Sequence, residues 1–299
     1  AAGMVRETSD LFRLGDETYD LRYAALTDHL QEVVRCFDAV IHTAARSSDW
    51  GDYDSFYRAN VEGTVNLLRA SVAGGVRRFI HFSSTVIYGF GGNRLTGEDH
   101  PPAPFNHPYC LTKAEAEEEC LRFRDRIHLV ILRPSNVFGP SDLTTTYPLL
   151  TALRKGMPAF PAGGRYLTSP CYVDNLVAAT VLALGAGCPS GEAFNISDGG
   201  DLTWKEFLGL FAAELGVKPP RVALPTGLLF PAAALLEKLY VCCGSSRPPL
   251  ITPYRIAQVA ADYSFSIEKA RKMLGYQPPV TTEEGVRRSV EWYGAYSDR

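Results

Sequence analysis

The sequence has no long uninterrupted apolar run, no cluster of metal-ligating side chains and no excess of charge of one sign. Its most apolar stretch, 222–243, is broken by Pro225, Pro231 and the Glu237–Lys238 pair. That leaves about 14 uncharged residues against the ~20 a membrane-spanning helix needs. A spanning helix is excluded there, whereas a helix buried against the domain or lying on a membrane surface is not. The first thirty residues are polar and charged, so no secretory leader is expected in them. Seven cysteines, an odd number, lack CxxC spacing and clustered histidines, which argues against both a disulfide framework and a zinc site. Reduced, mostly buried thiols in a cytosol-facing protein are expected, and no metal. A net charge of −3 provides no broad basic field, so nucleic acid is not an expected partner.

What is present is ordinary for a globular chain: 299 residues, 46% hydrophobic and 21% charged, enough for one large domain or two modest ones. The opening, 1–19, is irregular and charged and suggests no structural role. A short strand near 21–25 and a helix over about 28–36 follow. The run 38–45 is apolar and ends in small residues, which suits a buried parallel strand opening into a site. Helical spacing over 53–74, a strand at 78–83, a Gly/Pro-rich loop at 89–108 and a strand at 128–133 complete an alternation typical of a parallel α/β sheet. Beyond Pro140 the pattern becomes mainly helical: 147–155, 173–184, 204–215, 228–241, 267–274 and 282–296, with one strand at 192–196. Two lobes around a cleft are expected, because open α/β sheets bind ligands at strand carboxyl ends.

One short stretch carries chemistry. Pro108 can open a helix and the Ala/Glu/Leu-rich run 114–121 can continue it. Tyr109 and Lys113 then share a face, where an ammonium beside a phenol would draw the phenol pKa down from ~10 toward values useful for proton transfer. Fifteen tyrosines and seven lysines supply roughly a third of such a pair by chance, so the pair needs support from elsewhere.

That support comes from segments in fixed order: His42–Ala45 (HTAA), Asn60–Thr64 (NVEGT), Phe82–Gly89 (FSSTVIYG), Tyr109–Lys113 (YCLTK), Arg133–Pro140 (RPSNVFGP) and Tyr172–Leu176 (YVDNL). Together they resemble the extended short-chain dehydrogenase/reductase family. Pro248–Arg255, Tyr263–Arg271 and Leu274–Pro278 look like its 3β-hydroxysteroid dehydrogenase and sterol-4α-carboxylate 3-dehydrogenase branch. The resemblance implies a Rossmann-like parallel sheet flanked by helices over 1–140 and about 171–197. It implies a smaller, mainly helical substrate lobe over about 141–170 and 198–299. The implied reaction is hydride transfer between NAD or NADP and a secondary alcohol or ketone of a steroid or sterol. Tyr109 would be the acid/base, Lys113 its electrostatic partner and a ribose ligand, and Ser84 the hydroxyl on the substrate oxygen. Ala44, Ala45, Asn60, Tyr109, Lys113, Pro134, Ser135 and Asn136 would border the cofactor. Core packing for Ala44 and Ala45, turn capping for Ser84 and helix capping for Asn60 are the plainer alternatives. The branch also implies peripheral membrane contact through 222–243, at the cytoplasmic face of the endoplasmic reticulum, and leaves room for a homodimer.

The sequence departs from the family at the phosphate-gripping turn. Before Asn60 the glycines are Gly3, Gly15 and Gly51, none in a GxxGxxG arrangement that would set a pyrophosphate on a helix N-terminus. The acidic residue that meets the adenosine ribose is missing too, and Ala24–Ala25 stands where a Gly-Asp usually touches adenine. The first strand of the sheet is therefore expected to be absent, in a chain that is either truncated or has lost dinucleotide binding. A same-fold alternative is a nucleotide-sugar epimerase or dehydratase, and a different-class alternative is a non-catalytic binding protein.

Overall fold

The computed structural model describes residues 4–6, 12–14, 17–19, 21, 27–157, 159–245 and 247–297. By internal contacts the chain forms two compact units. One contains 1–89, 101–133 and 182–194, and the other 90–100, 134–181 and 195–299. The sequence reading groups 171–181 with the sheet, whereas the contacts assign them to the second unit.

The first unit begins with a small antiparallel meander of β1 (Met4–Arg6), β2 (Phe12–Leu14) and β3 (Glu17–Tyr19), in a region expected to be irregular. The strand expected near 21–25 falls outside the described residues except at Leu21. Helix α1 (Thr27–Val34) leads to β4 (Ala39–His42). A continuous helical run then comprises α2 (Tyr53–Tyr57), a π turn at Arg58–Glu62 and α3 (Gly63–Ala73). Strand β5 (Arg78–Phe82) is followed by a 3₁₀ turn at Thr85–Tyr88. The loop 89–108 contains a strand that composition hides, β6 (Asn93–Thr96), which belongs to the second unit.

Helix α4 (Pro108–Leu121) and strand β7 (His128–Pro134) follow. Strands β4, β5 and β7 pair in parallel, with Ile41 opposite Ile80 and Ile80 opposite Val130. Phe79, Leu129 and Ile131 are fully buried with Leu30, Leu67, Leu68 and Phe123 in the core on one sheet face. Burial on both faces explains why β5 and β7 read as near-continuous apolar runs.

The second unit takes β8 (Asn136–Phe138), α5 (Thr146–Arg154), β9 (Ala159–Pro161), β10 (Leu167–Thr168) and β11 (Pro170–Tyr172). Helix α6 (Val173–Gly185) and strand β12 (Glu192–Ile196) run across the division between units, β12 next to β7 in the four-stranded sheet. The remainder comprises β13 (Leu202–Thr203), α7 (Trp204–Glu214), β14 (Val222–Leu224), α8 (Thr226–Cys242), α9 (Pro253–Val259), β15 (Tyr263–Phe265), α10 (Glu268–Leu274) and α11 (Thr282–Ser297). Its core is aromatic: Phe138 meets Tyr172, Phe207 and Phe211 with ring centroids 5.2–5.9 Å apart. Within the stretch 222–243, α8 leaves Leu228, Leu235, Leu239 and Val241 exposed. Among the described residues no helix is long and apolar enough to cross a membrane.

Candidate active site

The first unit assembles a site around the start of α4. His107 is the residue that caps this helix: its Nδ1 accepts from the Tyr109 amide at 3.2 Å, and Pro108 occupies the first helical position, where no amide donor is required. Tyr109, Lys113 and Glu117 then lie one turn apart on one face, with Lys113 and Glu117 buried. At the carboxyl end of β5, Ser84 adopts an extended conformation and its hydroxyl accepts from the Val86 amide at 3.3 Å. Capping is thus part of what Ser84 does. That hydroxyl, and the one of Ser47 in the loop after β4, both favour the phenolate of Tyr109.

Lys113 behaves differently from the expectation. Its Nζ donates to the Phe82 carbonyl at 2.7 Å, and burial pulls its pKa down to about 8 against the opposing charges of Cys120 and Glu117. The Tyr109 phenol stands above its ordinary value, because burial outweighs the hydrogen bonds from Ser47 and Ser84 that favour the phenolate. Four-residue spacing sets the two side chains on one face, but the four-carbon stem carries the ammonium to the β5 carbonyl. The lowered phenol pKa expected from the spacing is therefore not found.

Asn60 does not cap a helix. It sits in the π turn, 2% exposed; its Oδ1 accepts from the Arg46 amide at 2.6 Å, while Nδ2 donates to the Arg46 carbonyl at 3.2 Å and to Thr112 Oγ1 at 3.0 Å. The side chain clasps the loop after β4 to α4. His107 makes a second tie, its Nε2 lying 3.3 Å from the Asp49 carbonyl oxygen. Ala44 packs against the core beside β4 and Ala45 is half-buried in the loop that follows.

Pro134, Ser135 and Asn136 belong to the second unit. Ser135 Oγ donates to the Ser169 carbonyl at 2.7 Å, and Asn136 Nδ2 donates to Thr168 Oγ1 at 2.7 Å while its Oδ1 accepts from Gln258 at 3.2 Å. These polar groups are engaged within their own unit.

Two features of the first unit lie beyond the sequence reading. Arg133 is buried with its guanidinium forked onto the Glu117 carboxylate, and its Nη1 donates to the Tyr88 hydroxyl at 2.5 Å. Behind Lys113, His42 and His81 stand with ring centroids 5.7 Å apart. His42 is bonded to Thr64 at 2.8 Å and pulled down to about 3 by burial and by Lys113; His81 is lowered for the same reasons, adding the effect of His42.

Residues 5–197 match the NAD dependent epimerase/dehydratase family. The chain belongs to it. It is 33% identical over 279 residues to the 3beta-hydroxysteroid-dehydrogenase/decarboxylase isoform 1 of Arabidopsis thaliana, covering 87% of this family member and 64% of the plant protein. It therefore spans less than two thirds of that relative's length. It is 32% identical over 266 residues to the 2-alkyl-3-oxoalkanoate reductase of Stenotrophomonas maltophilia (strain K279a), covering 84% and 79% of the two chains. The UDP-glucuronic acid 4-epimerase of Bacillus cereus, solved with NAD, superposes with a TM-score of 0.71 over 89% of this chain and 78% of its own. At 22% identity that likeness reports the shared fold. The architecture is thus an α/β fold with a parallel, helix-flanked sheet in an NAD-dependent family.

The nicotinamide–ribose end of such a cofactor suits the groups present. One proton of the Lys113 ammonium goes to Phe82 O, leaving donors for ribose hydroxyls. At the end of β5 the buried Ser83 Oγ has no partner among the described residues. No glycine-rich turn for the pyrophosphate occurs in the sequence.

Proposed function

We propose that this chain moves a hydride between a nicotinamide dinucleotide and a secondary alcohol or ketone, with Tyr109 as acid/base. The observation that carries the reading is Tyr109 one helical turn from a buried lysine whose ammonium is bonded to the end of β5, where the buried Ser84 stands. The dinucleotide, when bound, supplies or accepts the hydride. In alcohol oxidation Tyr109 takes the hydroxyl proton and in ketone reduction returns it. Ser84 holds the substrate oxygen beside the phenol. Lys113 holds the ribose hydroxyls with the ammonium protons that the Phe82 carbonyl leaves free.

For the substrate we propose carbon 3 of a steroid or sterol. The names of the relatives support oxygen chemistry at such a carbon. A dehydrogenase that is also a decarboxylase suits a 3-hydroxy acid, since its 3-oxo product readily loses carbon dioxide, and a 2-alkyl-3-oxoalkanoate is an acid of that kind. The exposed leucines of α8 support contact with a membrane surface, which we place at the cytoplasmic face of the endoplasmic reticulum.

The reading is tested by nicotinamide-fluorescence titration of the full chain, followed by turnover of a 3β-hydroxysteroid, its 4-carboxylate and a 2-alkyl-3-hydroxyalkanoate. Cofactor binding with turnover that falls 10²–10⁴-fold in Tyr109→Phe is expected. Failure to bind millimolar cofactor identifies a non-catalytic binding protein instead.

A further inference from the structure

Two exposed cysteines, Cys242 and Cys243, stand side by side at the end of α8, whereas Cys110, Cys120, Cys171 and Cys188 are buried. The helix stops there because Gly244, at φ +65°, turns the chain through the left-handed region, and the Cys243 amide closes the last turn on the Leu239 carbonyl at 2.9 Å. The inner side of α8 is already used: Ala233 is fully buried and the helix packs against α9. The outer side is apolar. Leu228, Ala232, Leu235, Leu239 and Cys242 follow one another at alternating intervals of four and three, the spacing of one helix face, and all five are exposed. Leu228, Leu235 and Leu239 are 72%, 61% and 51% exposed. A thiol therefore continues a stripe of open leucines. The surface charge around the stripe has one sign: Arg221, Lys238 and Arg247 are exposed, and Glu237, the one acid between 221 and 247, is half-buried.

We propose that Cys242 and Cys243 are a modification site for long-chain acyl groups carried as thioesters of coenzyme A, and that the acylated end of α8 is held in an anionic lipid surface. The proposal rests on the reading of α8 as a membrane-contacting helix and adds what fixes it there. An apolar helix face reaches only the boundary between headgroups and acyl chains, and a single myristoyl-length chain binds a bilayer with a constant of only ~10⁴ M⁻¹, so lasting attachment takes two signals. Here both lie on one face of one helix. The leucines and an acyl chain on Cys242 enter the same layer, while Arg221, Lys238 and Arg247 meet anionic headgroups. The transfer is an exchange of thioesters. The cysteine sulfur bonds to the acyl carbonyl carbon, the bond from that carbon to the coenzyme A sulfur breaks, and the cysteine proton ends on the coenzyme A thiol. Nothing is oxidised or reduced. Cys36 is also exposed, but it follows α1 beside the exposed Arg35 and continues no apolar stripe, so it is an internal contrast.

The test uses the purified full chain, palmitoyl-coenzyme A and vesicles of phosphatidylcholine with phosphatidylserine, read by intact mass and by cosedimentation. Acyl mass is expected on the chain, released by neutral hydroxylamine as a thioester is, retained in Cys36→Ser and lost when Cys242→Ser and Cys243→Ser are combined. The acylated chain is expected to bind vesicles about 10²-fold more tightly than the unacylated chain, the gain from joining two attachments. No acyl group on the parent chain, or one that persists in the double serine variant, overturns the proposal. Leu235→Gln combined with Leu239→Gln tests the underlying reading separately, in the unacylated chain, where it should weaken vesicle binding. A parent that binds vesicles through these leucines but takes no acyl group keeps the membrane reading and defeats the acylation. Acylation at the paired thiols of a chain whose vesicle binding ignores the two leucines defeats the membrane reading and leaves the thiols as the modified site.

Discussion

Asn60 uses both of its amide protons and its carbonyl oxygen, and all three tie the loop after β4 to the helix that carries Tyr109. Asn60→Ala leaves the Arg46 amide and carbonyl and the Thr112 hydroxyl short of partners in a buried place. At ~1–3 kcal/mol for an unsatisfied buried group, a loss of about 2–3 kcal/mol in urea unfolding is expected. An asparagine in a helical run gave no hint of this role. Its partners lie 14 and 52 residues away, and a π turn rather than a regular helix aims the amide at both.

Helix α4 presents Tyr109, Lys113 and Glu117 as a single ridge, and the buried Glu117–Arg133 pair fastens that ridge to the end of β7. Side-chain exposures of 6% and 8% leave little water to take over if one partner is lost. Glu117→Ala strands a guanidinium in the core and is expected to cost about 3–5 kcal/mol, measured by chemical denaturation. Glu117→Leu combined with Arg133→Met should recover most of it, since the penalty belongs to the unpaired charge. The turn that delivers Tyr88 to Arg133 also depends on one glycine. Gly89 has φ +70°, and a Cβ there would lie 2.2 Å from the Ala103 carbonyl oxygen, so Gly89→Ala should displace the 102–105 loop or unfold the turn. The motif around Gly89 was readable as a string. What its glycine avoids is a carbonyl 14 positions further along.

At the scale of the whole molecule, two buried imidazoles link the sheet to pH. His42 is held down to about 3 and His81 is lowered too, so the folded chain keeps both neutral where the unfolded chain protonates them. The unfolded state binds more protons below ~6.5, hence stability is intact above that pH and declines as pH falls toward 3. The slope contributed is about 1.4 kcal/mol per pH unit for each imidazole. The urea midpoint followed from pH 7 to pH 4 should show the decline. His81→Phe should lessen the slope by one imidazole's share, since neither ring nitrogen of His81 has a hydrogen-bond partner to lose among the described residues. Periodicity predicted the strand that holds His81, but nothing local indicates that Lys113, from another element, comes close enough to act on it.

By itself the sequence determined the class of fold and the identity of the chemical groups. Both are written locally, as alternating apolar runs of strand and helix length and as short segments such as Phe82–Gly89 and Tyr109–Lys113. Only the tertiary structure decided how those groups behave. Burial raised the phenol that spacing alone would have lowered, the lysine stem turned to a strand carbonyl, and Asn60 clasped the loop after β4 to α4. Solvation and partnership depend on residues tens of positions away, and these become neighbours only when the chain has closed around them.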